Sequence, residues 1–325
     1  MSTKTRWGII ATGWVSDKFA GALKLVPEAE RVAVGSRSQK AADAFGEKHD
    51  IPKRHASYEA LVSDPDVDVV YVGTPHNFHC ENTLMALEAG KHVLCEKPLA
   101  VNAREATEMI AVARKKQLFL MEAMWTRFVP AWVDIKARLD AGEFGEIASL
   151  QANFGLQRDY DPAHRLFNPD LAGGALLDLG IYPVSLASWL LGKPETMSSW
   201  VKMADTGVDQ RAAMTFTYGG GRFAQLSTAS DVWSSVEAEI VAEKAIIRAH
   251  RLFIEARSYE VFDFDRTEIV RKPFENGFQF EAEHAMDCIR EGRTESEVMP
   301  LDESLEIVRT MDALREEWGL KYPFE

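Results

Sequence analysis

Residues 7–121 alternate short apolar runs with stretches of helical periodicity, and this alternation constrains the fold more than any other feature of the chain. Strands that alternate with helices are joined by right-handed crossovers, which place the strands side by side in a parallel sheet. The apolar runs predicted to form strands begin at Trp7, Arg31, Val67, His92 and Leu118. We therefore predict an N-terminal domain, residues 1–122, built on a doubly wound parallel sheet.

The pattern changes after residue 122. Residues 198–270 alternate apolar and polar side chains between glycine-rich turns such as 219–221. This alternation is typical of an antiparallel sheet with one buried face. We therefore predict a second domain, residues 123–325, of the α+β class, with a large open and mostly antiparallel sheet and two closing helices. The chain as a whole belongs to the α/β class.

The formal net charge of −13 argues against partners that carry dense negative charge. We expect neither nucleic acid nor an anionic membrane to bind this chain. The three cysteines have no paired spacing, and the first residues lack the apolar core of a signal peptide. A reduced, cytoplasmic protein with a small-molecule partner is the expectation.

The turn after the first strand resembles a dinucleotide fingerprint. Ala11, Gly13 and Ser16 stand at its three glycine positions, and the retained glycine is the one that lets the backbone approach a pyrophosphate. The alternative is a turn that serves only packing. The predicted cofactor contacts here are Ala11, Thr12, Gly13, Trp14 and Val15.

The end of the second strand indicates which dinucleotide would bind. An NAD site usually has an acidic residue here for the ribose 2′-hydroxyl, whereas this chain has Ser36, Arg37 and Ser38. An arginine between two hydroxyls at a helix N-terminus suits a 2′-phosphate. We therefore predict NADP(H) in preference to NAD(H), the alternative being a solvated surface arginine.

The third strand ends in a segment predicted to lie near the nicotinamide ribose. Thr74 and Pro75 would lie over the ribose, Asn77 would cap the next helix, and His79 is included among the cofactor contacts. The histidines and cysteines of residues 76–95 have no usual zinc spacing, so no metal is predicted.

Lys97 follows an apolar run that is predicted to form a buried strand, in the tripeptide Glu96–Lys97–Pro98. It would stand at the carboxyl edge of the sheet, where open α/β folds bind their ligands. A lysine in such a position suggests chemistry, although a structural ion pair with Glu96 is the alternative. Both residues are predicted to contact the cofactor, and Lys97 is a candidate catalytic residue.

Asp178 and Tyr182 are the second catalytic candidates. They lie four residues apart in a predicted helix, 175–191, whose other residues are largely apolar. This spacing places both side chains on one helix face, where they could act on one ligand, and a buried hydrogen-bonded pair is the alternative. A nearby cationic lysine would favour the phenolate form of a tyrosine and so assist proton transfer.

These motifs together resemble the glucose–fructose oxidoreductase, inositol dehydrogenase and MocA family. The resemblance rests on the N-terminal turn, on Glu96–Lys97–Pro98 and on residues 174–182, and it spans nearly the whole chain. Residues 122–128 and 165–169 resemble the branch of dimeric dihydrodiol dehydrogenases and NADP-dependent D-xylose dehydrogenases. The resemblance implies a Rossmann domain, Lys97 and Tyr182 as catalytic residues, and a homodimer or higher oligomer formed through the open sheet.

Three further residues are candidates for the substrate pocket. Trp125 and Phe154 could stack on the apolar face of a ring, or both could be ordinary core residues. Arg165 could steer the substrate, or it could be solvated. The expected activity is hydride transfer between NADP and a sugar, cyclic polyol or trans-dihydrodiol. A non-catalytic NADP-binding redox sensor and a reductase of an activated carbonyl are the alternatives.

Overall fold

A computed structural model of the chain describes residues 4–325. Two compact units are present. The first contains the chain up to Trp125 together with Asn276–Val308, and the second contains Thr126–Glu275 together with Arg309–Glu325. The sequence analysis assigned 276–308 to the second domain. The chain returns to the first unit there, where Trp7 Nε1 donates to Met286 Sδ over 3.3 Å.

The sheet of the first unit has six parallel strands in the order β3-β2-β1-β4-β5-β6. The strands are β1 (Thr5–Ile10), β2 (Ala29–Gly35), β3 (Lys53–His55), β4 (Val69–Val72), β5 (His92–Glu96) and β6 (Leu120–Ala123). From β1, the chain adds β2 and β3 on one side of the sheet and then β4, β5 and β6 on the other side. This strand order is that of the Rossmann fold. The prediction of a doubly wound parallel sheet is confirmed.

Helices alternate with these strands, as expected for crossover connections. They are α1 (Trp14–Leu23), α2 (Gln39–His49), α3 (Tyr58–Val62), α4 (His79–Glu88) and α5 (Ala103–Lys116). The sequence analysis did not predict β3 and α3, because a polar three-residue strand and a five-residue helix are too short to show a period.

The second unit contains an eight-stranded sheet in the order β14-β13-β12-β11-β7-β10-β9-β8. Its strands are β7 (Ile147–Gly155), β8 (Thr196–Met203), β9 (Asp209–Tyr218), β10 (Arg222–Ala229), β11 (Ala238–Ala242), β12 (Ile246–Ala249), β13 (Ser258–Phe262) and β14 (Thr267–Arg271). Neighbouring strands are antiparallel except β7 and β10, which are parallel. The prediction of a large, mostly antiparallel sheet is therefore confirmed.

The remaining helices are α6 (Pro130–Asp140), α7 (Ile181–Leu191), α8 (Phe278–Arg290) and α9 (Leu301–Trp318). Within residues 4–325, the segment Pro169–Leu191 is the one helical stretch long and apolar enough to cross a membrane, but 83% of its most apolar window is buried inside the protein. Its apolar composition is that of a core helix enclosed by other elements.

Candidate active site

The turn between β1 and α1 is open to solvent at Gly13 and Trp14, where α1 begins. Gly13 is the N-cap of α1, and a Cβ atom added there would meet nothing within 4 Å. Ser16 is fully buried, and its hydroxyl would collide with a Cβ on Gly73 beyond β4, so small residues allow α1 to approach the sheet. An open helix N-terminus with close packing behind it fits a bound pyrophosphate. The predicted contact residues are all at least partly exposed: Ala11, Thr12, Gly13, Trp14 and Val15.

Ala11 departs from the usual pattern in a visible way. Its φ is +78°, a left-handed conformation that glycine adopts without strain and alanine does not. The backbone of the turn therefore keeps the shape that a glycine would give, at some cost in local strain.

The segment after β2 also fits a phosphate. Ser36 is buried, whereas Arg37 and Ser38 are exposed at the start of α2, and the Ser38 hydroxyl makes no capping hydrogen bond. Arg37 lies close enough to Tyr58 in α3 to act on its phenol: burial raises the pKa of that phenol, and the positive charge of Arg37 partly offsets the rise. Tyr58 is a neighbour of Arg37 that the sequence did not reveal.

The residues after β4 form a 3₁₀ turn, His76–Phe78, before α4 begins. The N-cap of α4 is Phe78, so the predicted capping role of Asn77 is wrong: the turn initiated by Pro75 delays the start of the helix. Thr74 is buried and Pro75 is exposed.

His79 joins the loops that follow β4 and β5. It is fully buried, with Nδ1 2.7 Å from the Pro98 carbonyl oxygen and Nε2 2.9 Å from the Thr74 carbonyl oxygen. Burial lowers the pKa of His79 to about 4, so the ring is neutral and donates to one carbonyl at a time. Its ring nitrogens are engaged by the backbone, and this gives His79 a positional role for both loops.

Lys97 lies in a segment that buried polar groups hold at several points. Its backbone N–H donates to Glu96 Oε2 over 3.2 Å, and the Leu99 N–H donates to Glu122 Oε1 over 2.9 Å. Glu96 and Glu122 are both buried, whereas Lys97 is only partly so. The Lys97–Pro98 peptide bond is cis. These contacts hold the backbone of Lys97 at the carboxyl edge of β5, where the sequence analysis placed it.

In the second unit, Asp178 and Tyr182 lie on the segment that leads into α7. The predicted helix over 175–191 is present, but its first turn, Leu176–Gly180, is a π-helix. π-Helical turns occur often at functional sites. Gly180 belongs to this turn, and a Cβ there would lie within 3.1 Å of Thr228 on β10, so the glycine lets the turn approach the sheet closely.

A buried carboxylate, Asp209 on β9, caps this helical segment. Its Oδ2 accepts a hydrogen bond from the Leu176 N–H at 2.6 Å. Burial raises the pKa of Asp209 to about 6, although the backbone hydrogen bonds oppose that rise. Tyr322 donates from its hydroxyl to the Gly173 carbonyl oxygen at 2.6 Å. These two residues fix the start of the helix that bears Asp178, and sequence reasoning missed both because each is distant in the chain.

Arg127 fixes the other side of α7. It is buried, and its Nη2 donates to both the backbone oxygen and the hydroxyl of Ser185, each at 3.0 Å. Its guanidinium also lies over the ring of Trp189, 5.4 Å from the centroid. A buried guanidinium bonded in this way holds the helix in one position.

Arg165 and Asp178 form a bidentate ion pair, with Nη1–Oδ1 and Nη2–Oδ2 distances of 3.0 and 2.9 Å. The Asp178 side chain is 8% exposed, whereas the Arg165 side chain is 52% exposed. The sequence analysis named both residues but did not pair them. Asp178 therefore orients an arginine whose other half is exposed.

Tyr182 is 7% exposed and its ring centroid lies 5.6 Å from that of Phe154. Phe154, at the end of β7, is partly exposed. In the first unit, Trp125 is 6% exposed and stacks on Phe278 with a centroid separation of 4.8 Å. One face of the Trp125 ring is thus covered by protein, and Phe154 is the more open of the two aromatic candidates.

Among residues 4–325, the side chains that come close enough for a metal ion are His284, Cys288 and Glu297, whose ligand atoms lie within 4.8 Å of one another. Protein contacts account for two of them, since His284 Nε2 lies 2.7 Å from the Ser296 hydroxyl and Glu297 pairs with Arg293. This group lies outside the 76–95 region considered in the sequence analysis.

The fold and the turn at its switch point define a dinucleotide-binding protein. Residues 5–124 match the family model described as "Oxidoreductase family, NAD-binding Rossmann fold", and residues 132–248 match the "GFO/IDH/MocA C-terminal domain". The chain belongs to the GFO/IDH/MocA oxidoreductase family, and it is an enzyme of the dehydrogenase type.

Relatives and solved structures are similar to this chain over nearly its full length. The trans-1,2-dihydrobenzene-1,2-diol dehydrogenase of Homo sapiens is 37% identical, with 98% of each chain covered. The enzyme of the same name from Xenopus tropicalis is also 37% identical, covering 98% of this chain and 99% of the relative. The crystal structure of KijD10, a 3-ketoreductase from Actinomadura kijaniata in complex with NADP and TDP-benzene, has a TM-score of 0.87 at 28% identity, covering 97% of this chain and 98% of that one.

Proposed function

We propose that this enzyme transfers hydride between NADP(H) and a sugar, cyclic polyol or trans-dihydrodiol. The main support for NADP(H) as the cofactor is Arg37, which is exposed beside the N-terminus of α2, together with the lack of an acidic residue at the end of β2. The NADP complex of KijD10 supports the same cofactor. When bound, the nicotinamide supplies the hydride acceptor or donor. The activity for which the dihydrodiol dehydrogenase relatives are named supports the substrate class.

In the oxidation direction, Tyr182 accepts the proton of the substrate hydroxyl. Its low exposure and its contact with Phe154 favour an environment with little water, which strengthens electrostatic effects on the phenol. Lys97 contributes the positive charge that favours the phenolate. Solved structures of KijD10 include variants with a tyrosine changed to phenylalanine and a lysine changed to alanine or glutamate.

Asp178 acts through Arg165 in this proposal. The bidentate pair fixes the guanidinium, and the exposed half of Arg165 donates hydrogen bonds to substrate oxygens. Phe154 and Trp125 provide apolar surface for a ring. Asp178, Arg165, Phe154 and Trp125 would serve a carbonyl substrate in the reverse direction as well. KijD10 is named as a 3-ketoreductase, and this favours testing carbonyl reduction as a second candidate activity.

The decisive experiment is a turnover screen of sugars, inositols and trans-dihydrodiols with NADP and NAD, together with ketone substrates and NADPH, followed at the nicotinamide absorbance. On the best substrate, Tyr182→Phe and Lys97→Ala should each lower kcat by about 100-fold or more, as expected for loss of acid–base catalysis. Because the two residues serve one step, the double variant should lose much less than the product of the single losses. Normal kcat in Tyr182→Phe would contradict the assignment.

We also propose that the enzyme forms a homodimer or a higher homo-oligomer through the open sheet. The face of the sheet around β7, β8, β9 and β10 forms a groove lined by residues such as Gln151 and Thr215. Trp200 in β8 is part of this lining and is 59% exposed, and the family resemblance implies an interface on this sheet. Light scattering should show a dimer or larger species for the wild type and a smaller species for Trp200→Glu. A wild-type monomer would refute the proposal.

We propose a reducing, cytoplasmic location because Cys80, Cys95 and Cys288 form no disulfide within the described residues. Fractionation of cells that produce the enzyme tests this directly.

A further inference from the structure

Three buried side chains lie together at the start of the Glu96–Lys97–Pro98 segment. Tyr71 on β4 and Glu281 on α8 are fully buried, and Glu96 on β5 is 4% exposed. Glu96 and Glu281 influence each other and Tyr71 electrostatically. The sequence analysis singled out Glu96 only, and the proposed proton transfer makes no use of Glu281.

The hydrogen bonds distinguish the two acids. Glu96 accepts a hydrogen bond from the Tyr71 hydroxyl at 2.5 Å and another from the Lys97 N–H at 3.2 Å. Neither carboxyl oxygen of Glu281 has a hydrogen-bond partner among residues 4–325. Donated hydrogen bonds stabilise a carboxylate, and two neighbouring buried carboxylates are not both ionised without a compensating charge. Glu96 is therefore the ionised member and Glu281 the protonated one.

Burial and the Glu96 carboxylate act in the same direction on Glu281. Both raise its pKa well above the ordinary value for a glutamate. Tyr71 responds in the same way: burial first, and then the Glu96 carboxylate, raise the pKa of its phenol, so the hydroxyl remains a donor to Glu96.

We propose that Glu281 is a positioning residue for Lys97: as a neutral acid it allows Glu96 to stay ionised and to hold the Lys97 backbone N–H. This inference rests on the catalytic role proposed for Lys97. Ionisation of Glu281 would place a second negative charge beside Glu96 and the Tyr71 hydroxyl, and Glu96 would then be driven towards protonation. The groups involved come from β4, β5 and α8, so the arrangement is a property of the folded first unit.

The test compares Glu281→Gln with Glu281→Ala in the full-length enzyme. Glutamine is a neutral side chain of the same shape, so Glu281→Gln should keep kcat within about threefold near pH 7. Alanine is also neutral but leaves a cavity at this fully buried position, which frees the Glu96 side chain to move, so Glu281→Ala should lower kcat by about tenfold or more. The NADPH Kd from fluorescence titration should change little in either variant. Because the pKa of Glu281 is higher in the folded than in the unfolded state, its protonated form stabilises the wild type at low pH. This stabilisation is lost as the pH rises. The Tm of Glu281→Gln should therefore rise relative to the wild type as the pH increases.

Two outcomes would overturn the proposal: equal losses of kcat in both variants, or a Tm difference between Glu281→Gln and the wild type that does not change with pH. If Glu281→Ala does not fold, infrared spectroscopy of the wild type decides. A protonated carboxylic acid band at neutral pH that is missing in Glu281→Gln is expected, and absence of the band in the wild type refutes the inference. Normal kcat in Lys97→Ala would instead remove the role of Lys97, so the two failures are distinguishable.

Discussion

Replacing Gly174 with alanine should disturb the start of the helical segment that bears Asp178 and Tyr182. Gly174 has φ +122°, and an added Cβ would overlap Oδ1 of Asp209, the residue that caps Leu176. Backbone strain at such a position costs about 1–3 kcal/mol, and displacement of a charged cap costs about 1.5–3 kcal/mol. The free energy of unfolding should therefore fall by about 2.5–6 kcal/mol. For a unit of this size, in which 1 kcal/mol shifts the Tm by about 2–4 °C, that corresponds to a decrease in Tm of roughly 5–24 °C.

Thermal unfolding followed by circular dichroism measures this effect, and Gly142→Ala is the matched control. Gly142 also has a positive φ, +71°, but a Cβ there would meet nothing within 4 Å. The control should lose only about 1–2 kcal/mol, the ordinary strain of alanine in the left-handed region. The kcat of Gly174→Ala should fall while the NADPH Kd stays close to that of the wild type. If Gly174→Ala is no less stable than Gly142→Ala, the proposed overlap with Asp209 is wrong.

Three further predictions concern charge. Burial raises the pKa of Asp209 to about 6, above its unfolded value, so its protonated form stabilises the fold at low pH and this stabilisation is lost as the pH rises through 6. The Tm of Asp209→Asn relative to the wild type should therefore increase from about pH 4 to about pH 7. A Tm difference that stays constant over this range would contradict the prediction. Arg37→Ala should raise the KM for NADP by about tenfold or more and leave the KM for NAD nearly unchanged, whereas equal changes would remove its role at the 2′-phosphate. Asp178→Asn should weaken the bidentate contact to Arg165 and raise the substrate KM with little effect on NADPH binding; Arg165→Lys should have a similar effect, and unchanged steady-state kinetics in both would exclude the pair from the substrate site.

The sequence predicted those parts of the fold that show a period or a local stop signal. The apolar strands of the first sheet and the helix over 175–191 lie close to where the pattern placed them, since strand and helix periods are properties of adjacent residues. The return of α8 to the first unit could not be predicted, because an amphipathic helix does not reveal which surface covers its apolar face. The π-helical turn at Leu176–Gly180 also has no sequence period that distinguishes it from an α-helix.

The candidate site shows the same limit in its side chains. Arg165 and Asp178 were each identified, yet their pairing depends on the path of the intervening loop. Asp209 was missed because it lies in β9, a strand in which buried and more exposed side chains largely alternate. The available signal was an acidic residue on the buried face, since a buried carboxylate requires a hydrogen-bonding partner. Sequence patterns therefore identified side chains with chemistry and missed most of the buried groups that hold them.

This difference indicates where substrate preference can change without loss of the fold. The backbone around Lys97 depends on buried acids, and the start of the catalytic helix depends on the buried carboxylate of Asp209. Changes at such positions leave polar groups unsatisfied and destabilise the protein. Arg165 is different, since it lies in the loop after β7, pairs with Asp178 and has half of its side chain exposed. Substitutions in residues 157–165, which are all at least partly exposed, should therefore alter substrate selectivity at little cost in stability. If variants in that loop lowered the Tm as strongly as Gly174→Ala, the loop would be part of the supporting structure.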